Sequence, residues 1–448
     1  MSVSMKRELK TNIKRTLSVI LLLMLGFSQN ALAQAKHEVQ AGETLYSIAK
    51  SYGISVDELK ALNSLSSGQS ITVGQQLTVP SGKAQGTTVV AAAPSSYTSP
   101  RVLKQKSSYR LAMLMPFYTD GGKSVDFYRG LLYGLSMLRK NGISCEVKAM
   151  NAGQSVYDID KILASSQLDK EDIIFASGSE AVCNRISDYC ELHDIEMLLP
   201  FSKAFDAVNE NAHVVMASQP TAQIPGIYTA CLKYLLSRKD YSSNAVICLP
   251  ADIYQIWRVP AMLRERGVKV KGYAANTPDS LVYTFSKLKK DEENVILFLP
   301  YSGDVARQET YYNGITRALA ATGKKVSTII GPDAWKNFGT ETRKTFYDNN
   351  VTLMTFSYIN VYSSSYTAGR KFYIDTFGKV PDTDSQRMFF TGLDVAQSLF
   401  SPDGNWRPLC QPWKVEKAAN QGLGLLNKGV RIVQFKRDKT VEISDYAE

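Results

Sequence analysis

Histidine is almost missing from this chain of 448 residues. Three are present, His37, His193 and His213. No pair has the HExxH spacing that a zinc hydrolase helix requires. There is no GxSxG elbow for a serine nucleophile. The one glycine-rich candidate, "GLGLLN" at 422–427, lacks a third glycine and follows no strong strand, so it is no nucleotide loop. No CxxC occurs among the six cysteines, Cys145, Cys183, Cys190, Cys231, Cys248 and Cys410, which removes the usual redox and zinc-knuckle patterns. Cys183 and Cys190 sit seven apart on an expected helix, about 10 Å along its axis, too far to bridge. Most cysteines lie among apolar residues and read as buried thiols. A disulfide elsewhere stays open. No Lys/Arg stripe accompanies the net charge of +10, which speaks against a nucleic-acid footprint. A pair of catalytic carboxylates is not excluded by residue count alone.

Long apolar runs are also scarce. One stands at 17–27, "LSVILLLMLGF", and its length of about 11 residues falls short of the about 20 needed to span a bilayer. Lys6, Arg7, Lys10, Lys14 and Arg15 precede it, and Ala31-Leu32-Ala33 follows. Basic region, apolar core and small-x-small site make 1–33 a signal peptide, with no cysteine after it for lipid attachment. The expected product is exported, without stable membrane insertion, to the periplasm and cell wall. Loss of those five bases and of Glu8 lowers the charge from +10 to about +6. A mildly basic surface suits weak attraction to an anionic wall polymer.

What is present begins at residue 37. "HEVQAGE" reads as a short strand. Thr44 can cap a helix whose apolar positions are Leu45, Ile48 and Ala49, ended by Gly53. Ser55 and Glu58 form a capping box for a second helix whose buried face Leu59 and Leu62 supply, and Asn63 ends it. "QSITVGQQLTVP" closes with a strand. The order is βααβ in about 44 residues, a unit with a marginal core.

Residues 37–80 resemble a lysin motif (LysM) module, at His37-x-Val39, "GETLYSIAKSYGIS", "ELKALN" and "VGQQLTVP". The resemblance implies binding of N-acetylglucosamine-containing glycan, in bacteria mainly peptidoglycan. It carries the sugar groove onto Gly42, Glu43, Thr44 and Leu45, with Leu62, Asn63, Ser64 and Leu65. The bland alternative makes Thr44 only a cap and Leu45 only core. Residues 81–108, rich in Ser, Thr, Ala, Gly and Pro, read as a flexible linker spanning roughly 30 Å as a coil.

From Tyr109 onward apolar runs of five to eight residues alternate with helical patterns: "RLAMLMPF", "DIIFASGS", "EMLLPFS", "NAVICLPAD", "NVILFLPYSG", "VTLMTFSYI". This is the signature of an α/β architecture with parallel sheets. About 340 residues exceed a comfortable single core, so two lobes are expected. We expect lobe 1 at about 109–221 and 350–430, and lobe 2 at about 222–349 and 431–448, with hinges near 221, 349 and 430. The tail reads as a hairpin around "RDKT".

Element order, "FYRGLLYGL" and "FYIDTFGKVPDTDSQRMFFTGLDVAQSLF" make 109–448 similar to type I periplasmic binding proteins of the branched-chain amino-acid class. The resemblance implies a small amino-acid-like solute held at strand ends between lobes. Its site would map to Ser177, Gly178, Ser179 and Ser202, with Tyr254, Tyr301 and Asp304 from the second lobe. Phe201 and Lys203 stand where the family has small residues, and the Gly-Pro before the serine loop is missing. Bland readings make Asp304 a helix N-cap, Ser177 and Ser179 a turn with caps, and Tyr254 and Trp257 lobe packing. No cofactor, metal or catalytic residue is expected. The reading is a non-catalytic wall-anchored solute-binding or sensing protein. The alternatives are a structural scaffold with a degenerate cleft, filled by Phe201, Lys203 or Trp257, and a wall hydrolase.

Overall fold

The computed structural model describes 34–39, scattered positions of 45–54, 56–65, most of 71–80, 89–91 and most of 103–446. The main stretches outside it are 1–33, 66–70, 81–88, 92–102, 202–205, 219–231, 239–244, 249–260, 273–277, 288–293, 298–303 and 402–405. The chain divides into two units, Met1–Gly86 and Thr87–Glu448.

In the first unit β1 (Gln34–Glu38) pairs antiparallel with β2 (Gln76–Pro80), His37 opposite Leu77. The strand starts three residues earlier than its sequence pattern suggests, because the pairing with β2 continues to Gln34 opposite Pro80. Helix α1 (Val56–Leu62) follows the first helix positions at Leu45, Ile48 and Ala49. Val39, Ile48, Ala49, Leu59, Leu77 and Val79 form the buried core. Helical and strand spacing select these residues, but Leu62, expected on the buried face beside Leu59, is 37% exposed because it stands in the last turn, away from the strand pair. Ser55 of the expected capping box lies outside the described residues.

The second unit holds two sheets. β4 (Ser108–Met115), β5 (Ser144–Asn151), β6 (Ile173–Ala176), β7 (Glu196–Leu199) and β8 (Val214–Met216) are parallel to their neighbours. Between them run α2 (Lys123–Arg139), α3 (Val156–Ser165), α4 (Glu180–His193) and the short α5 (Ala207–Glu210). Strands β6 and β8 are buried at every position and β7 at all but Glu196, as near-continuous apolar runs in a covered parallel sheet must be.

The other sheet collects β9 (Ala245–Cys248), β10 (Val270–Gly272), β11 (Asn294–Leu297), β12 (Thr328–Pro332) and β13 (Val351–Thr355). Helices α6 (Pro278–Ser286), α7 (Val305–Thr322) and α8 (Thr340–Asp348) connect them. α9 (Ser364–Phe377) and α10 (Thr383–Phe400) follow, then β14 (Val415–Lys417), β15 (Leu425–Asn427), β16 (Val430–Phe435) and β17 (Val441–Tyr446). Strand order is β14-β15-β8-β7-β6-β4-β5 in the first sheet. It is β10-β9-β11-β12-β13-β16-β17-β3 in the second, where β3 is Val89–Ala91. Each sheet has its own core. Leu111, Met113, Phe127, Leu131 and Phe175 lie under the first, and Trp335, Tyr312, Phe346 and Val433 under the second. This is the α/β architecture with parallel sheets that the element order implies.

Two expected boundaries move. β13 pairs with β12 and antiparallel with β16, so it belongs to the second sheet and not to the first lobe. The second crossing therefore falls after Thr355, not near 349. An apolar strand buried at all five positions finds its place by pairing, which spacing alone does not reveal. The expected linker at 81–108 is also not slack throughout. Val89–Ala91 pairs in parallel with β17, and Leu103 is buried with Tyr109 and Leu111. The backbone carbonyl of Ser107 accepts from Ser144 N at 2.8 Å. Backbone pairing at a sheet edge and one buried leucine dock these parts of the segment.

Candidate functional site: a glycan groove and a strand-end cleft

In the small unit the loop after α1 is shaped by its last turn. Leu65 N donates to Lys60 O at 2.9 Å, and Ser64 takes a left-handed φ of 53°. Asn63 is wholly engaged. Its amide donates to Leu59 O and Thr78 O, both at 2.8 Å, while its carbonyl oxygen accepts from Thr78 N at 2.5 Å. Asn63 thus splices the helix end to β2 and positions the loop rather than offering its own amide. Leu45 and Leu65 are half-buried against the module's core. Leu62, 37% exposed, and the exposed Ser64 are the predicted groove residues that face outward. Gly42, Glu43 and Thr44 lie outside the described residues.

Asn63→Ala strips three hydrogen bonds from a part-buried site and leaves Thr78 N–H and two carbonyls without that partner. The module is expected to lose about 1–3 kcal/mol, which for so small a core is a large share. Hydrogen exchange at Thr78, accelerated at least tenfold against Val246 in the large unit, is the readout.

The large unit carries its candidate residues where parallel sheets offer ligand sites, at the carboxyl ends of strands. Ser177 follows β6, and its N–H is spent on Leu114 O at 3.2 Å. Ser179 is the N-cap of α4, accepting from Val182 N at 3.4 Å. Asp304 is the N-cap of α7, accepting from Arg307 N at 2.8 Å, and it is exposed. The capping readings of Ser179 and Asp304 are therefore what the structure contains. No hydrogen bond or ion pair joins Asp304 to the Ser177–Ser179 turn among the described residues. Ser202, Lys203, Tyr254, Trp257 and Tyr301 lie outside them. Phe201 packs edge-on against Phe127, ring centres 5.2 Å apart, so it joins the core under the first sheet.

Spacing did not single out a polar group at the ends of β12 and β13. Asp333 accepts from Lys336 Nζ at 2.8 Å and from the Thr355 hydroxyl. The same Nζ donates to Ser357 O at 3.2 Å and Ser357 Oγ at 3.1 Å. The charges neutralise each other within the group. Asp333 follows directly on β12 and Ser357 follows β13, so only the fold brings them together.

Nucleophiles are poorly prepared. Burial, and then Glu180, pushes the Cys183 thiol up to about 11. Burial, and then Asp394, does the same at Cys410. A thiol that stays protonated attacks weakly. Cys145, Cys183, Cys190 and Cys410 are free. Burial, and then Asp194, raises the Glu196 carboxyl to about 7, with His213 Nδ1 at 3.7 Å. Glu196 and His213 sit at the starts of β7 and β8, the end opposite the strand-end cleft. Among the described residues no group of three or more His, Cys, Asp or Glu could hold a metal ion, and no helix is long and apolar enough to cross a membrane.

Residues 37–80 match the LysM domain model. A Staphylococcus aureus protein named as a probable autolysin, SsaALP, is 45% identical over 69 residues, 15% of this chain and 26% of that protein. The match thus spans about a quarter of that relative. Among solved structures, a Rhodospirillum rubrum protein described as a branched-chain amino acid ABC transporter aligns with a TM-score of 0.49 at 10% identity. It covers 75% of this chain and 99% of that one. A branched-chain amino acid transporter protein of Rhodopseudomonas palustris gives 0.46 at 12% identity, covering 76% and 96%. The LivJ substrate-binding protein of Streptococcus pneumoniae, solved with isoleucine, gives 0.37 at 10% identity, covering 76% and 100%. The chain thus joins a LysM domain to a separate, larger α/β unit.

Proposed function

We propose that this is an exported, non-catalytic protein whose LysM module, 37–80, anchors a solute-binding or sensing domain to peptidoglycan. The observation that carries the reading is the βααβ module, with its match over all 44 residues. Its α1 loop is pinned by Asn63, while Leu62 and Ser64 face outward. A leucine floor suits an acetamido methyl group, and loop backbone supplies the donor and acceptor that the amide needs. Non-catalysis is supported by the raised thiols and by the scarcity of histidine.

Sedimentation with purified peptidoglycan tests the anchor. The full chain is expected in the pellet. A chain lacking 34–80 is expected in the supernatant, and Leu62→Ala is expected to weaken retention about tenfold, the scale of one well-buried apolar contact. Equal partition of full and truncated chains would reject the anchor.

A second reading, a scaffold whose cleft takes no solute, is favoured by Phe201 on Phe127 and by the use of Ser179 and Asp304 as caps. A thermal-shift screen against amino acids, peptides and muropeptides separates the two. A binder gains about 2.7 kcal/mol at a hundredfold excess over Kd. A scaffold gains nothing.

A further inference from the structure

The chain passes between the two sheets three times: after Ala217, after Thr355, and between Asn427 and Val430. One segment, 406–414, buried at Cys410, Pro412 and Lys414 and half-buried at most other positions, meets all three crossings. From the side of the first sheet it is gripped by Asp394 of α10, whose neighbours Val395 and Ala396 lie in that sheet's core. One Asp394 oxygen accepts from Trp406 Nε1 at 3.0 Å and Leu409 N at 2.7 Å. The other accepts from Cys410 N at 2.7 Å and Gln411 N at 3.1 Å.

From the side of the second sheet the segment is gripped by Arg431 of β16. Its guanidinium donates to Leu409 O at 2.8 Å and Pro408 O at 2.6 Å. It also donates to Tyr358 O at 2.7 Å, just past the second crossing, and pairs with Asp445 of β17 at 2.7 and 3.0 Å. Tyr358 N in turn donates to Cys410 O at 2.9 Å.

Asn427 closes the set. It accepts from Lys414 N at 2.8 Å and Gly429 N at 3.0 Å, and donates to Pro412 O at 2.9 Å and Ala217 O at 3.2 Å. Gln411 Nε2 donates to the same Ala217 carbonyl. Asp394, Cys410, Asn427 and Arg431 are all 3% exposed or less.

We infer that segment 406–414 is a lock that holds the two sheets at one fixed angle, so that the domain does not close by hinge bending. Hinge closure needs a few residues at the crossings free to absorb large changes in φ and ψ. Here Ala217 O accepts from Gln411, Tyr358 N donates to Cys410 O, and Asn427 accepts from Lys414 N and donates to Pro412 O, so a described residue at each crossing is tied to the strap. Rotation of one sheet against the other must pull either the carboxylate from its four N–H groups or the guanidinium from its carbonyls. Each loss strands a charged group in a dry site, where no water replaces the bond. The inference deepens the binding-domain half of the proposed function and rests on it. Whatever the domain takes, it takes on a preformed surface, without engulfing it. It is independent of whether the LysM module holds peptidoglycan.

The test is a distance distribution by electron spin resonance on the full chain. Spin labels are carried by introduced keto amino acids at Asp188 of α4 and Ala320 of α7, both exposed, since native thiols are present. The expected result is one narrow distribution, unchanged by a mixture of amino acids and muropeptides. The paired variant Asn427→Ala, Gln411→Ala, which frees Ala217, is expected to raise the fraction at a second distance at least tenfold. Two distances in the unaltered chain, a shift on adding the mixture, or an unchanged narrow peak in a folded variant would each overturn the lock. Should the variant fail to fold, hydrogen exchange of the unaltered chain decides. Amides of Leu409, Cys410 and Gln411 are expected in the same slowest class as Met113 of β4, and exchange a hundredfold faster would overturn it. Peptidoglycan sedimentation of the labelled chain separates a failed lock from a failed anchor.

Discussion

Gly392→Val is expected to prevent the large domain from folding. Helices α2 and α10 touch backbone to backbone. A Cβ on Gly392 would stand 2.1 Å from Phe127 O and 2.7 Å from Leu131 N. From the other helix, a Cβ on Gly130 would stand 1.8 Å from Phe389 O. Neither obstacle is a side chain that can swing away. To admit the methyl groups the helices must part by more than 1 Å, which unpacks Phe127, Leu131, Leu393 and Val395 together. Such a change belongs to the rare class costing about 4–5 kcal/mol or more, a large part of what a domain has to spare.

Graded neighbours sharpen the expectation. Gly134 faces the Ala396 side chain at 2.6 Å, so Gly134→Ala should destabilise about 1–3 kcal/mol, as ordinary overpacking does. Gly142, with open space and a φ of +82°, should lose about 1–2 kcal/mol to alanine through backbone strain alone. Thermal unfolding followed by circular dichroism, with the yield of soluble chain, gives the order. Gly392→Val at the level of Gly142→Ala would show that the helices do not meet this closely.

The second large effect is expected from Asp394→Ala. The carboxylate accepts four N–H groups, and removing it leaves Trp406, Leu409, Cys410 and Gln411 without that acceptor in a site closed to water. Breaking a buried charged network by deleting one member costs about 3–5 kcal/mol. Burial pushes the Asp394 carboxyl up to about 6, against the opposite pull of the Leu409, Cys410 and Gln411 amides and of Arg431. A carboxyl held above its ordinary value near 4 favours the folded state fully below about pH 4. That contribution fades as pH rises through about 6. The penalty of the alanine variant at pH 7 therefore reports the stranded donors. Asp394→Asn keeps one acceptor for Trp406 and Leu409 but turns an NH2 toward Cys410 and Gln411, so it should fall between. Denaturant midpoints of the full chain at pH 5 and pH 7 measure all three. An alanine variant within 1 kcal/mol of the parent would mean that the strap is not held through this group.

The two sites were unequally visible from sequence. In the LysM module the residues that make the core also make the motif, since spacing along two short helices and a closing strand fixes both. What spacing did not reveal is that Asn63 spends all its bonding capacity on Leu59 and Thr78. A side chain's partners lie across the fold, here 15 residues away. At the strand ends, element order singled out the Ser177–Ser179 turn and Asp304, and there Ser179 and Asp304 each cap the helix that begins. A residue that ends one element and starts the next looks the same whether it waits for a ligand or caps its own helix. The grip of Asp394 on 406–414 left one trace in the sequence, a carboxylate in the middle of the apolar stretch "MFFTGLDVAQSLF". Its meaning depended on knowing that 406–414 folds back over it.

Sequence by itself determined the LysM module, the alternation of strand and helix, and the scarcity of histidine, because periodicity, caps and composition are local properties. Only the tertiary structure decided that β13 serves the second sheet, that part of the expected linker is docked, and that the three crossings share one strap. Each of those outcomes depends on hydrogen bonds between residues far apart in the chain, and a backbone N–H or carbonyl carries no mark in the sequence of where its partner lies.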